Sequence, residues 1–184
     1  MNFGFPIIGT DESGKGDYFG PLVVAGVYVD ENIADALISL GVKDSKALSD
    51  QKVLALERNI LSICRNRFEV IEINPEQYNS LRSRFERLPS QLHHLLAWAH
   101  VKVIDNIARK NPCNNALVDQ FADERFINGK MKGNHHKMKV VQMHKAERHV
   151  AVAAASVMAR AGFLKAMSRL SSAYGIDLPK GSTD

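Results

Sequence analysis

Four acidic residues occupy positions from which they could act together on a phosphodiester. Asp11 and Glu12 end a predicted first strand, Asp119 lies in an apolar predicted strand, and Glu147 opens a predicted helix. A carboxylate in a buried strand is costly unless it is paired or bound to a metal. Oxygen ligands suit Mg²⁺ or Mn²⁺, and two such ions can activate a water and stabilise a leaving oxygen. Spacing alone leaves open a surface pair at 11–12 and a helix-dipole role for Glu147.

A glycine-rich segment, residues 9–16, nearly matches a P-loop. Gly16 stands where a P-loop carries a hydroxyl, two carboxylates inside the loop would repel a triphosphate, and a strand rather than a helix follows. We therefore predict that this segment contacts nucleic acid and does not bind a nucleoside triphosphate. Gly14 and Gly16 let the backbone approach a sugar or phosphate, and Lys15 can reach a ribose hydroxyl. A glycine-rich hairpin without a ligand is the alternative.

Strand and helix patterns alternate along the chain and predict the elements that must position these residues. Strands are predicted at 5–9, 22–29, 68–73, 116–120 and 139–143, and helices at 31–40, 51–65, about 20 residues from Pro89, and 147–170. The mixture predicts an α/β fold, with a mixed central sheet flanked by helices, in one domain over residues 1–184. Small side chains in the last helix allow a close approach to a neighbouring element.

Basic residues are concentrated in one region of a chain whose net charge is +4. Residues 125–149 contain seven lysines and arginines and four histidines: Arg125, Lys130, Lys132, Lys137, Lys139, Lys145, Arg148, His135, His136, His144 and His149. We expect this region to contact a nucleic-acid backbone, and a solvated basic loop is the alternative.

Other sequence features exclude several classes of protein. No stretch approaches the roughly 20 apolar residues of a membrane span, and the start lacks a signal-peptide pattern, so we expect a cytoplasmic location. Cys64 and Cys113 belong to no metal-binding pattern, and we expect them to be reduced and structural.

Five motifs, in order along the chain, resemble those of the type 2 ribonucleases H, and most closely those of ribonuclease HIII. They are Asp11-Glu12-Ser13-Gly14-Lys15-Gly16-Asp17-Tyr18-Phe19-Gly20-Pro21; Asp44-Ser45-Lys46 with Leu48-Ser49; Val118-Asp119-Gln120-Phe121; Lys145-Ala146-Glu147 with Val152-Ala153-Ala154-Ala155-Ser156 and Ala159-Arg160; and Leu178-Pro179-Lys180-Gly181.

The resemblance implies a ribonuclease H-like fold and an endonuclease that cuts the RNA strand of RNA/DNA hybrids. The implied two-metal mechanism, with Mg²⁺ or Mn²⁺, leaves 5′-phosphate and 3′-hydroxyl products. The catalytic and metal-binding residues that it implies are Asp11, Glu12, Asp119 and Glu147. The substrate-binding residues that it implies are Ser13, Gly14, Lys15, Gly16 and Lys46. Glu147 and Tyr18-Phe19 favour ribonuclease HIII over HII, and with it a preference for runs of ribonucleotides.

Two departures from ribonuclease HIII accompany the resemblance. The first motif begins at Asp11, so we expect no N-terminal substrate-binding domain, and the chain stops at Asp184, where the family continues into another helix. This is the pattern of a truncated chain or of a short member. The sequence implies an RNA/DNA hybrid as partner, with no membrane or protein partner, and we expect a monomer. A non-catalytic hybrid-binding module and ribonuclease HII-like cleavage at single ribonucleotides are the alternatives.

Overall fold

The computed structural model describes residues 4–43, 45–84, 90–123, 125–130 and 138–182, without the side chains of Ala47 and of residues 128–130. In these ranges the strands are β1 (Ile7–Ser13), β2 (Leu22–Val29), β3 (Phe68–Ile73), β4 (Asn115–Asp119) and β5 (Lys139–Met143). The α-helices are α1 (Glu31–Ser39), α2 (Asp50–Cys64), α3 (Pro75–Ser83), α4 (Gln91–Ala108), α5 (Arg125–Lys130) and α6 (Val150–Tyr174). Single 3-10 turns occupy Ser45–Ala47 and Ala146–Arg148.

The strands form one mixed sheet, as the sequence predicts. Their order is β3-β2-β1-β4-β5, in which β1, β2 and β3 are antiparallel neighbours and β1, β4 and β5 run parallel. Helices α1, α2 and α6 cover one face, and α4, with α3 and α5 beside it, covers the other. Because β1 and β4 run parallel, their carboxyl ends meet at the same edge of the sheet.

Strand β1 directs alternate residues to the two faces of the sheet. Ile7 belongs to the α6 core and Ile8 to the α4 core. The same period of two places Gly9 against α6 and Thr10 against α4. Consecutive acids at the end of this strand therefore have different surroundings.

Helix α6 corrects one expectation from the sequence. Its 25 residues are long and apolar enough by composition to cross a membrane, although no such stretch was expected. The structure buries 72% of its most apolar 18-residue window within the protein, so α6 packs as a core helix. The helix ends at Gly175, whose positive φ of 66° suits a C-cap glycine.

Helices α3 and α5 were not predicted. Signals for α3 are nevertheless present: Asn74 and Gln77 form a capping box, and Pro75 occupies the first turn. Its exposed, polar sequence has no buried residue and so lacks the apolar periodicity that reveals a packed helix. The predicted start of α4 at Pro89 lies outside the described residues, and the helix is observed from Gln91.

Gly9 is the point of closest approach between β1 and α6. A Cβ atom added at Gly9 would overlap the backbone of Ala151 and Val152. Ala151 and Val152, in the first turn of α6, are both fully buried. The predicted close packing of the alanine-rich helix is therefore confirmed, and it occurs two residues before Asp11.

We predict that Gly9→Ala destabilises the fold, because the added methyl group can be accommodated only by moving α6 away from the sheet. Overpacking of this kind costs about 1–3 kcal/mol, which urea-induced unfolding can measure. Gly4→Ala is the matched control, since a Cβ there meets no atom within 4 Å. Equal stability of the two variants would show that α6 is not tightly seated on β1.

Candidate active site

A pocket of about 590 Å³ opens where β1 and β4 end. All nine site residues predicted from the sequence line it: Asp11, Glu12, Ser13, Gly14, Lys15, Gly16, Lys46, Asp119 and Glu147. Asp17, Gln120, His144 and Lys145 complete the lining. The fold thus gathers residues from four separate segments of the chain around one acidic cavity.

Asp11 is the most deeply buried acid of this set, with 5% of its surface exposed. Burial, and next the charge of Glu12, raise the pKa of Asp11 to about 7. Its Oδ1 accepts a hydrogen bond from the backbone N–H of Glu12 at 2.8 Å, and a side-chain hydrogen bond with Ser156 also favours the charged form. Hydrogen bonds therefore hold the Asp11 carboxylate in place, but they do not offset the effect of burial and of the Glu12 charge on its pKa.

Glu12, unlike Asp11, has neighbouring side chains that lower its pKa below the ordinary value. Burial pushes the pKa of Glu12 upward, but the hydrogen bond and charge of His100, followed by the charge of Lys15, outweigh it and leave the pKa lowered. The Nε2 atom of His100 lies 3.2 Å from Oε2 of Glu12, and Nζ of Lys15 lies 3.5 Å from Oε1. The two oxygens of this carboxylate therefore contact different partners.

Asp119 and Glu147 differ in backbone setting from their predicted positions. Asp119 is the last residue of β4 rather than an interior one, and Glu147 lies on a 3-10 turn before α6. Lys145 precedes this turn with a positive φ of 58°, and α6 starts only at Val150. Oδ1 of Asp119 accepts from the backbone N–H of Ala146 at 3.1 Å, so one acid helps to hold the turn that carries the other.

The acids are near enough to influence each other's charge. Burial raises the pKa of Asp119, and the charges of Glu147 and Glu12 raise it further, against the Ala146 hydrogen bond and Lys46. Within the described ranges, however, no three His, Cys, Asp or Glu side chains converge closely enough to hold a metal ion as they stand. Like charges repel, so bringing these carboxylates closer together would require a cation between them.

Lys46 reaches the pocket from a 3-10 turn that α6 anchors. The hydroxyls of Ser45 and Ser156 are 2.8 Å apart, and Arg160 donates to the backbone carbonyl of Ser45. Arg160 also pairs with Asp50 at 2.7 Å. The fourth motif thus carries residues that position the second.

Asp50, at the start of α2, joins this network to the last motif. Lys180 and then Arg160 hold the pKa of Asp50 below its usual range, and Lys180 forms an ion pair with it. Lys180 belongs to the Leu-Pro-Lys-Gly motif. Through Asp50 and Arg160, that motif is therefore connected to the 3-10 turn that carries Lys46. Asp44, the first residue of the Asp-Ser-Lys motif, lies outside the described residues.

The glycine loop joins two antiparallel strands, so the structure excludes the P-loop geometry that its sequence imitates. Gly14 has a φ of 87°, and a Cβ there would overlap the carbonyl oxygen of Pro21. Two hydrogen bonds, which we call the clasp, join the loop to Gly181 in the C-terminal segment. The N–H of Gly181 donates to Asp17 Oδ1 at 2.6 Å, and the carbonyl of Gly181 accepts from the N–H of Tyr18 at 3.1 Å. The Tyr18 side chain, 80% exposed, projects from this clasped loop.

His100 is a site residue that the sequence analysis missed. It lies on the buried face of α4, between Leu96 and Val103, where the pattern predicts only core packing. The available signal was a polar residue on an apolar helix face, four residues after Leu96 and three before Val103. Its contact with Glu12, 88 positions away in sequence, could not be predicted from local pattern.

The basic region is only partly described. His144 and Lys145 line the pocket, whereas Arg125 is exposed and pairs with Asp123 at 3.0 Å. His149 caps α6 by accepting from the backbone N–H of Ala151. The predicted contacts of Lys132, His135, His136 and Lys137, and of the Lys130 side chain, fall outside the described atoms, so nucleic-acid contact by this region stays a prediction. The two cysteines are free, as expected.

Comparison with known proteins gives consistent matches. The ribonuclease HII family model matches residues 8–183. Ribonuclease HIII of Protochlamydia amoebophila is 43% identical over 178 residues, covering 97% of this chain and 57% of that protein. The crystal structure of Bst-RNase HIII in complex with Mn²⁺ superposes with a TM-score of 0.81 at 34% identity, covering 97% of this chain and 58% of that one. Ribonuclease HII of Archaeoglobus fulgidus, solved with PCNA, superposes with a TM-score of 0.78 at 32% identity, covering 98% of this chain and 83% of that one.

The chain therefore spans less than three fifths of the length of the ribonuclease HIII proteins that it matches. The predicted ribonuclease H-like fold class is confirmed by both structural matches, each of which covers at least 97% of this chain.

We predict that Asp11→Asn stabilises the metal-free protein. The pKa of Asp11 is about 7 when folded and 3.8 in its ordinary environment. The folded chain therefore keeps this proton to higher pH, and stability falls as pH rises through this window and then levels off. At pH 8 the charged carboxylate costs up to about 4 kcal/mol, which a neutral amide removes while still accepting from Glu12. In EDTA, urea unfolding should show higher stability and a weaker pH dependence, unlike the exposed control Asp35→Asn.

Proposed function

Because the chain belongs to the ribonuclease HII family, as its motifs predict, we propose that it is a metal-dependent endonuclease that hydrolyses the RNA strand of RNA/DNA hybrids. One observation carries the proposal: four carboxylates and two lysines predicted from separate motifs line a single pocket at the edge of the sheet. The products that we propose have a 5′-phosphate and a 3′-hydroxyl.

Asp11, Glu12, Asp119 and Glu147 fit a site for Mg²⁺ or Mn²⁺. They offer oxygen ligands only, and burial together with mutual charge raises the pKa of both Asp11 and Asp119, so a cation would relieve an existing repulsion. The Mn²⁺ in the crystal of Bst-RNase HIII supports this choice of ion. We propose that two ions bind, and when bound they would activate a water and stabilise the departing 3′-oxygen.

Both lysines lie beside the acids, and each would bind the substrate. Lys46, fixed by its anchored turn, would offer a point charge to the phosphate that is cut. Lys15 is 39% exposed and is paired loosely with Glu12 at 3.5 Å, so it can exchange that carboxylate for a phosphate or a ribose hydroxyl.

The glycine loop would recognise the sugar of the RNA strand. Its backbone could come close to a ligand at Gly16, where an added Cβ would meet no atom within 4 Å, and the 2′-hydroxyl is the group that distinguishes RNA from DNA at such a contact. The clasp to Gly181 holds this backbone in place before substrate arrives. We propose recognition over several ribonucleotides, because a flexible lysine at position 15 holds one sugar–phosphate junction less firmly than an arginine would.

We predict that the protein cleaves an RNA/DNA hybrid in Mg²⁺ or Mn²⁺ and not in excess EDTA, since the four carboxylates are electron-pair donors and need a bound cation to act as the Lewis acid on the phosphate. A labelled hybrid containing a run of ribonucleotides should be cut with higher kcat/KM than a DNA duplex containing one ribonucleotide. Unabated cutting in EDTA would contradict the metal-dependent mechanism. Preferential cutting of the single ribonucleotide would instead support ribonuclease HII-like specificity, and binding without cleavage would support a non-catalytic module.

We predict that Asp119→Asn reduces cleavage at least tenfold, about 1.4 kcal/mol of barrier, while the metal-free fold is unchanged or more stable. The amide can still accept from Ala146 but is a poor cation ligand. Asp35→Asn, an exposed position on α1 outside the pocket lining, is the matched control. Asp119 would be excluded as a principal ligand if its variant kept more than a tenth of wild-type kcat/KM.

A further inference from the structure

His100 is a fully buried imidazole to which the proposed chemistry assigns no role. None of its surface is exposed, and both ring nitrogens have a polar neighbour. Nδ1 lies 2.9 Å from Oγ1 of Thr10, and Nε2 lies 3.2 Å from Oε2 of Glu12. Both neighbours belong to β1, and both side chains are on the α4 face of the sheet.

The chemistry of the partners determines the direction of these hydrogen bonds. An ionised carboxylate can only accept, so Nε2 of His100 must carry the hydrogen that lies toward Glu12. The Thr10 hydroxyl can rotate to donate to Nδ1 or to accept from it. Thr10 is itself fully buried, so it orients the ring without competition from solvent.

A third contact fixes the plane of the ring. The imidazole of His100 stacks on Phe121, with ring centroids 5.0 Å apart and an angle of 8° between the planes. Phe121 follows Asp119 by two residues. The ring is therefore held between the end of β1 and the segment after β4. Strands β1 and β4 together carry three of the four acids.

Resting on the function proposed above, we propose that His100 is a positioning residue whose Nε2–H holds Oε2 of Glu12, so that the carboxylate offers its other oxygen to the cation in the pocket. Lys15 contacts that other oxygen, Oε1, from a partly exposed position. A surface lysine can leave when a cation arrives, whereas a buried histidine bonded on both sides cannot.

The proposal differs from the plain alternative that His100 only packs between α4 and the sheet. Hydrogen bonds to metal-binding carboxylates orient them, and their loss typically lowers metal affinity or activity by about 10–100-fold. A packing role would lower stability but would leave the affinity of the folded protein for the cation unchanged. Metal affinity, measured without substrate, therefore separates the two.

The experiment compares His100→Phe, His100→Gln and the matched control His93→Phe. Phenylalanine keeps a ring to stack on Phe121 but cannot donate, whereas glutamine can place an N–H near the position of Nε2. His93 lies on the same helix, with its ring edge-on to Phe126 at 5.4 Å and outside the pocket lining. Mn²⁺ affinity is measured by calorimetry on each folded protein, and kcat and KM are measured on the hybrid.

We expect His100→Phe to weaken Mn²⁺ binding at least tenfold and to lower kcat at least tenfold, with KM for the hybrid within threefold. His100→Gln should restore most of the affinity, and His93→Phe should match the wild type. A folded His100→Phe that binds Mn²⁺ within twofold of the wild type would overturn the proposal. So would a glutamine variant as defective as the phenylalanine one.

A measurement on the unaltered protein decides the matter if His100→Phe does not fold. Long-range ¹H–¹⁵N correlation spectra of the metal-free protein should show a hydrogen on Nε2 of His100, and a bare Nε2 with hydrogen on Nδ1 alone would overturn the proposal. A wild type that binds Mn²⁺ but cuts no hybrid would overturn the proposed function alone, because the affinity comparison uses no substrate. A wild type that binds no Mn²⁺ would overturn both.

Discussion

Repulsion among carboxylates at one edge of the sheet is the constraint that the surrounding structure has to satisfy. Each of three acids has a donor of its own: the N–H of Glu12 for Asp11, His100 for Glu12, and the N–H of Ala146 for Asp119. These donors hold the side chains without neutralising them completely, and the pKa of Asp11 stays at about 7 because burial and the charge of Glu12 outweigh its hydrogen bonds. The pocket therefore keeps an excess of negative charge, which a divalent cation can neutralise.

Sheet geometry determines how these acids are distributed. The period of two in β1 sends Asp11 toward α6 and Ser156 and sends Glu12 toward α4 and His100. Adjacent acids thus receive different donors from opposite layers and still reach one pocket, because both stand at the end of the strand. Close seating of α6 at Gly9 is what makes the first of these contacts possible, since a helix held further away could not place Ser156 beside Asp11.

The sequence predicted the mixed sheet and its strands well, because their alternating apolar patterns are local signals. The nine site residues, which were predicted mainly from motifs, line one pocket, and their roles stay predictions. Glu147 was placed on the wrong element because His149, in an extended conformation, ends the 3-10 turn and caps α6, a break in the helix that no local sequence signal marks. Asp119 was placed inside its strand because strand ends are defined by pairing partners, here Met143. His100 was missed for the same general reason, since its partners Thr10 and Glu12 are about 90 positions away and share no periodicity with α4.

The clasp between Asp17 and Gly181 has a topological consequence. It brings residues far apart in the chain to the mouth of the pocket, and Lys180 lines a smaller cavity that shares Glu12, Ser13 and Lys46 with the main one. Because the clasp joins residues 164 positions apart in the sequence, a displacement of either segment would also move the other, and with it the lining of both cavities.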